Sequence, residues 1–229
     1  MGVLTLGLGT DASIALVAIA PFLAALLAPL VHRIAKPFAG WVLALVPGAI
    51  FLFLLTLIEP VVDGGAVSAR IGWVPAYDLD LSFLVDGLSL TFALTISGIG
   101  ALIVLYSGAY LKGHPHLGRF FAFLLAFMGA MLGLVLADNM LALFMFWELT
   151  SVTSFLLIGF DHTRQAARRG AIQALVITNI GGMALLAGVI LVHHLTGSWE
   201  LSALGGDIRA HGLYGLVLAT FLLAAFTKS

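Results

Sequence analysis

Apolar residues run through this chain in long blocks separated by short polar breaks. A bilayer core about 30 Å thick takes roughly 20 helical residues. Seven blocks reach or approach that length: 12–32, 39–59, 83–106, 118–137, 139–160, 170–195 and 213–229. They predict an all-α polytopic membrane protein with about seven transmembrane helices. One break is patterned differently. In 60–82, Ile71, Trp73, Leu79, Leu81 and Phe83 alternate with other residues around Pro75-Ala76. A period of two predicts a small β-hairpin in this loop. An irregular loop anchored at the interface by Trp73 and Tyr77 is the other reading. The last block stops at Lys228-Ser229 with no polar flank, which suggests a piece of a longer chain or a truncated reading frame.

Charge then orients the blocks. With the N-terminus outside, the inner connections are about 32–38, 107–119 and 161–169. They hold Arg33, Lys36, Lys112, Arg119, Arg164, Arg168 and Arg169, whereas the outer side holds only Arg70 and Arg209. Asp11, Glu59, Asp63, Asp78, Asp80, Asp138, Glu200 and Asp207 fall on or near the outer side. The positive-inside rule favours this orientation. No Lys or Arg precedes the first block, so it reads as a retained span rather than a secretory signal.

Composition narrows the class. The chain is 62% hydrophobic and 9% charged, against about 25% charged in soluble domains. Lipid is therefore the expected solvent and partner. A net charge of −1 gives no sign of nucleic-acid binding. Without cysteine there is no disulfide framework, thiolate metal site or iron–sulfur site. Gly98-Ile99-Gly100 lies inside a span and lacks the strand–loop–helix setting of a nucleotide fingerprint.

Against this background two residues stand out. Glu148 lies near the middle of the fifth block and Lys228 well inside the seventh. A charge at the bilayer centre costs about 2.5–3.5 kcal/mol on insertion scales. Such groups face a wet interior or a partner. Eighty positions separate them, so only tertiary packing can join them. Burial disfavours charge on both groups, and pairing favours it on both. A tight pair would hold the lysine's proton and a loosened one could release it. A purely structural salt bridge is the alternative. Ser151 shares a helix face with Glu148 at i+3. Thr150 and Ser154 form an i, i+4 pair on a different face, with Thr153 beside them. These hydroxyls either hold a water chain to the carboxylate or bond their own i−4 carbonyls.

The remaining polar groups suggest structural roles. Asp86 in VDGLS reads as a helix-start or loop residue rather than a proton site. His193 and His194 are adjacent on a helix and cannot face one metal, and His114 and His116 lack a third ligand. Thr178 and Asn179 are placed to bond neighbouring helices. Gly129 with Gly133, and Gly181-Gly182, read as close-packing positions. Pro21, Pro29 and Pro47 are possible kinks.

Several runs here are similar to a known family. MFWELTSVTSFLLIGF, preceded by FMGAMLGLVLADN, resembles the A subunit of the multisubunit cation/proton antiporters called Mrp, Mnh or Pha. So do VDGLSLTFALTISGIGALIVLYSGAYL and the terminal AAFTKS. WELTS and FTKS are shared more loosely with antiporter-like subunits of respiratory complex I. The similarity runs from about residue 70 and is weaker over the first two spans.

The resemblance implies an antiporter-like fold with inverted repeats. Residues 1–117 would hold helices 1–3 with the outer loop, and 118–229 an incomplete first repeat, helices 4–7. Glu148 and Lys228 match the family's proton-path residues, and the lysine's helix is broken in the family. The family implies a bacterial plasma-membrane hetero-oligomer with other membrane subunits. It would exchange H+ for Na+ or another monovalent cation, without a redox cofactor or enzymatic chemistry. Family members continue past FTKS, so this chain alone would not complete a transmembrane proton path. A proton-pumping membrane subunit of a complex I-like quinone oxidoreductase or a membrane-bound hydrogenase is the alternative. A membrane-embedded bystander that conducts nothing is the third reading.

Overall fold

The computed structural model describes residues 3–4, 8–74 and 79–228. Its elements are β1 (Val3–Leu4), α1 (Leu8–Ala35), α2 (Ala39–Leu55), α3 (Ile58–Val62), β2 (Ala66–Val74), β3 (Leu79–Val85), α4 (Gly87–Tyr110), α5 (Leu117–Leu136), α6 (Met140–Ile158), α7 (Gln165–Thr196) and α8 (Tyr214–Lys228). Short 3-10 turns occupy Lys36–Phe38 and Gly206–Ala210. Each of the seven expected blocks forms a helix, and the chain is a multi-pass membrane protein. Among the described residues, five stretches are long and apolar enough to cross a membrane, the first of which joins α1 and α2. At 15 residues α8 is shorter, spanning roughly 22 Å at 1.5 Å per residue.

The hairpin is present. β2 and β3 pair, and β1 adds a parallel third strand through Val3 opposite Ala66 and Leu4 opposite Val67. Pro75, Ala76 and Tyr77 lie outside the described residues. The third block begins later as a helix than its hydropathy suggested. Residues 83–85 belong to β3, and Asp86 then caps α4. Its carboxylate accepts from Ser89 N at 2.8 Å, while its own N–H donates to Ser89 Oγ at 2.8 Å. This reciprocal pair satisfies two donors at the helix start, the structural role expected of Asp86.

Two compact units divide the chain. The first is Met1–Arg70 with Phe83–Leu136. Within it α1 packs on α5 and α2 on α4, around Leu54, Val104, Phe121, Leu125 and Leu132. Glycines set the close approaches. A Cβ on Gly129 would sit 2.9 Å from the Phe22 ring, and one on Gly118 3.1 Å from Pro29 Cα. Gly40 and Gly108 meet backbone to backbone. These contacts put the α1–α2 turn and the α4–α5 loop at one end of this unit. Arg33, Lys36 and Lys112 gather there. Pro21, Pro29 and Pro47 are accommodated within α1 and α2.

The second unit is Ile71–Ser82 with Ala137–Ser229. Here α7 packs against both α6 and α8. Met140, Leu185, Val189, Val192, Val217 and Ala224 form its core. Gly197 ends α7 in the left-handed region at φ 72° and donates to His193 O, a conformation that glycine adopts without strain. Both candidate ionisable residues belong to this unit.

Candidate functional site

The site is built from the start of α6. Asn139 caps it, its Oδ1 accepting from Leu141 N at 2.8 Å and Ala142 N at 3.1 Å. Beside it Asp138 is 6% exposed. Its carboxylate accepts from Ser202 N at 2.8 Å and Ser202 Oγ at 2.6 Å. Backbone bonds reinforce the join: Leu201 N to Asp138 O, Met140 N to Trp199 O, and Asp138 N to Ser82 O. The α5–α6 link is thus tied to the α7–α8 connection. Sequence reasoning placed Asp138 among the outer acids and missed this role. An Asp-Asn pair directly before an apolar block was the signal available, because both residues favour helix caps.

Farther along α6, Glu148 is half-buried. Its Oε1 is enclosed without a hydrogen-bond partner among the described residues. A buried oxygen of this kind carries the desolvation cost of an unsatisfied group. Thr150, Ser151 and Thr153 around it are buried. Thr150 Oγ1 donates to Trp147 O at 2.7 Å, Ser151 Oγ to Trp147 O at 3.3 Å and Thr153 Oγ1 to Leu149 O at 2.7 Å. All three hydroxyls bond carbonyls of their own helix, Thr150 at i−3 and Ser151 and Thr153 at i−4. Ser154 is half-buried and makes no hydrogen bond among the described residues.

Lys228 reaches this site from α8. Its Nζ donates to Ser151 Oγ at 2.7 Å and to Trp147 O at 3.0 Å. It also lies 4.9 Å from the centre of the Trp147 ring, within cation–π range. Ser151 accepts from the ammonium while donating to Trp147 O, so its hydroxyl is used twice. Glu148 and Lys228 are within electrostatic reach of each other. Among the described residues, no ion pair within 4.0 Å joins them. The ammonium rests on oxygens one residue before and three after the glutamate. Chemically, this is a cation held by neutral acceptors beside a carboxylate with one oxygen lacking a hydrogen-bond partner among the described residues.

The other polar positions are accounted for locally. His193 stacks on Trp199 with centroids 3.6 Å apart and planes 8° from parallel. Thr178 Oγ1 bonds its own Ala174 O at 2.9 Å, rather than a neighbouring helix. Asn179 is exposed on α7 and makes no hydrogen bond among the described residues.

Most of the chain is similar to known proteins. Residues 73–121 match the family model "NADH-Ubiquinone oxidoreductase (complex I), chain 5 N-terminus". Residues 137–229 match "NADH:quinone oxidoreductase/Mrp antiporter, TM". Together these cover more than half of the chain. The A1 subunit of the Na(+)/H(+) antiporter of Staphylococcus aureus is 42% identical over 215 residues, which is 92% of this chain and 27% of that protein. The chain therefore spans about a quarter of the length of that relative. A chain in the Mrp complex of Dietzia sp. superposes with a TM-score of 0.86 at 32% identity, covering 95% of this chain and 24% of the other. A chain of respiratory complex I from Thermus thermophilus gives 0.73 at 26% identity, covering 92% and 43%.

The fold and the matched segments define an antiporter-like membrane subunit, and the chain belongs to that family, shared by Mrp antiporters and complex I. Within it the similarity fits the N-terminal portion of the A subunit of the multisubunit Na+/H+ antiporters.

Proposed function

We propose that the chain contributes to a monovalent cation/proton antiporter, with Na+ the leading cation, and that Glu148 and Lys228 handle its protons. The observation that carries this reading is the seat of Lys228. Its ammonium crosses from α8 to Trp147 O and Ser151 Oγ on either side of Glu148. Two acceptors offset the cost of a cation within the bilayer. A short swing of the flexible lysine side chain would trade those acceptors for the Glu148 carboxylate. In the paired state each charge stabilises the other. In the seated state the carboxylate is free to take a proton, and Thr150 and Ser154 add polarity nearby. Alternation between the two states makes a proton step.

The same reading places the chain in a bacterial plasma membrane, among other membrane subunits, with its N-terminus outside. The basic residues at one end of the first unit, and Arg164 just before α7 with Arg168 and Arg169 at its start, support that orientation. The similarity to complex I supports a second reading, a membrane subunit of a redox-driven pump. The Glu–Lys logic would be common to both.

The test is cation-induced pH change in everted vesicles from an antiporter-deficient host carrying the neighbouring subunits. Sodium should collapse the proton gradient with the unmodified chain and fail to do so with Glu148→Gln, at equal insertion. Retained exchange in Glu148→Gln would remove Glu148 from the path. Quinone-dependent proton movement without a sodium response would favour the second reading.

A further inference from the structure

Two glycines in succession occupy the interior of α7, where glycine is the poorest helix former after proline. Their surroundings explain them. A Cβ on Gly182 would fall on Glu148 Oε1, and one on Gly181 on Thr227 Oγ1, with Ala224 O 3.3 Å away. Gly182 therefore faces α6 at its glutamate. Gly181 faces α8 at the residue beside Lys228. One turn and more farther on, Gly188 again faces α8, against Thr220 and Phe221 at 2.6 and 2.8 Å. α7 packs between the other two helices and is pared to bare backbone at the depth of the ionisable residues.

We propose that the Gly181-Gly182 step sets the separation across which Lys228 reaches α6, making the two glycines positioning residues. Gly182 positions the Glu148 carboxylate, and Gly181 positions Lys228 through Thr227. The inference rests on the proton-site reading for its functional meaning, but its geometry can be tested independently. Alanine at 182 would drive the carboxylate off its present place. Alanine at 181 would push α8 outward, because Thr227 Oγ1 already donates to Ala224 O at 2.9 Å and the backbone beside it is close. Gly181→Ala lengthens a reach now closed by a bond of 2.7 Å, and Gly182→Ala lengthens it by pushing α6 away with the enclosed carboxylate.

The chain contains no cysteine, which allows a direct proximity measurement. Ser151→Cys with Lys228→Cys, in the chain co-expressed with its neighbouring subunits, is joined by a short bifunctional thiol reagent. The yield should fall on adding Gly182→Ala and recover with Glu148→Asp, which shortens the clashing side chain. It should fall on adding Gly181→Ala and recover with Thr227→Ala. The exchanged combinations, Gly182→Ala with Thr227→Ala and Gly181→Ala with Glu148→Asp, should not recover. In the cysteine-free chain each alanine should lower transport about tenfold or more, as misplacement near 1 Å does elsewhere.

Unchanged cross-linking in both alanine variants overturns the inference, whatever happens to transport. Should an alanine variant fail to assemble, recovery by its own compensating change supports the inference and equal failure with both changes overturns it. If the unmodified chain shows no cation/proton exchange while cross-linking follows the expected pattern, the transport reading fails and the spacing role stands.

Discussion

The Lys228 ammonium donates to the Ser151 hydroxyl across 2.7 Å, joining two helices through residues 77 positions apart in sequence. Lys228 meets α6 through that contact and the Trp147 carbonyl rather than through a direct bond to Glu148. It makes Ser151 the most informative single position in the site.

Removing that hydroxyl isolates its contribution. Hydrogen bonds to charged groups are worth about 1.5–3 kcal/mol, so Ser151→Ala should lower transport roughly tenfold to a hundredfold. Ser151→Thr keeps the oxygen and should retain most of the rate. Vesicle assays at matched expression measure both. Equal transport in Ser151→Ala and the unmodified chain would show that the lysine does not use this seat.

Asp138 should matter to stability more than to exchange. Asp138→Ala removes both Ser202 contacts from a buried carboxylate. The expected loss is about 3 kcal/mol, read as a lower thermal unfolding midpoint of the purified complex. Ser202→Ala should cost less, because the backbone N–H bond survives. A larger effect from Ser202→Ala than from Asp138→Ala would contradict this account.

A capping role and a proton role make opposite predictions for Asp86. Asp86→Asn keeps an oxygen to accept from Ser89 N and should leave transport near the unmodified level. Asp86→Ala should destabilise by about 0.5–2 kcal/mol. Loss of exchange in Asp86→Asn with normal stability would reassign the residue to the proton path.

Gly129 tests the packing of the first unit. Its missing Cβ would lie 2.9 Å from the Phe22 ring. Gly129→Val should destabilise by about 1–3 kcal/mol through overpacking, and Phe22→Ala in the same chain should recover part of it. Thermal unfolding of the two variants decides the matter.

Hydropathy and charge were enough to identify the solvent, the helices and the residues that do not belong in lipid. Long apolar blocks need internal backbone hydrogen bonding, so hydropathy alone located α1, α2 and α4 to α8, though not the short α3. The period of two around Pro75 revealed the hairpin, and the cost of an ionised side chain in a bilayer singled out Glu148 and Lys228. How those two meet was settled by folding. Residues eighty apart are juxtaposed by packing on α7, and hydropathy carries no information about which face of α7 each helix meets. The seat on Ser151 and Trp147 O depends on a backbone carbonyl, which has no sequence signature. The Asp138–Ser202 join and the paired fit of Gly181 to Thr227 and Gly182 to Glu148 are likewise distances between segments far apart in the chain. Such distances arise from steric exclusion between side chains brought together in three dimensions, and no pattern along one helix records them.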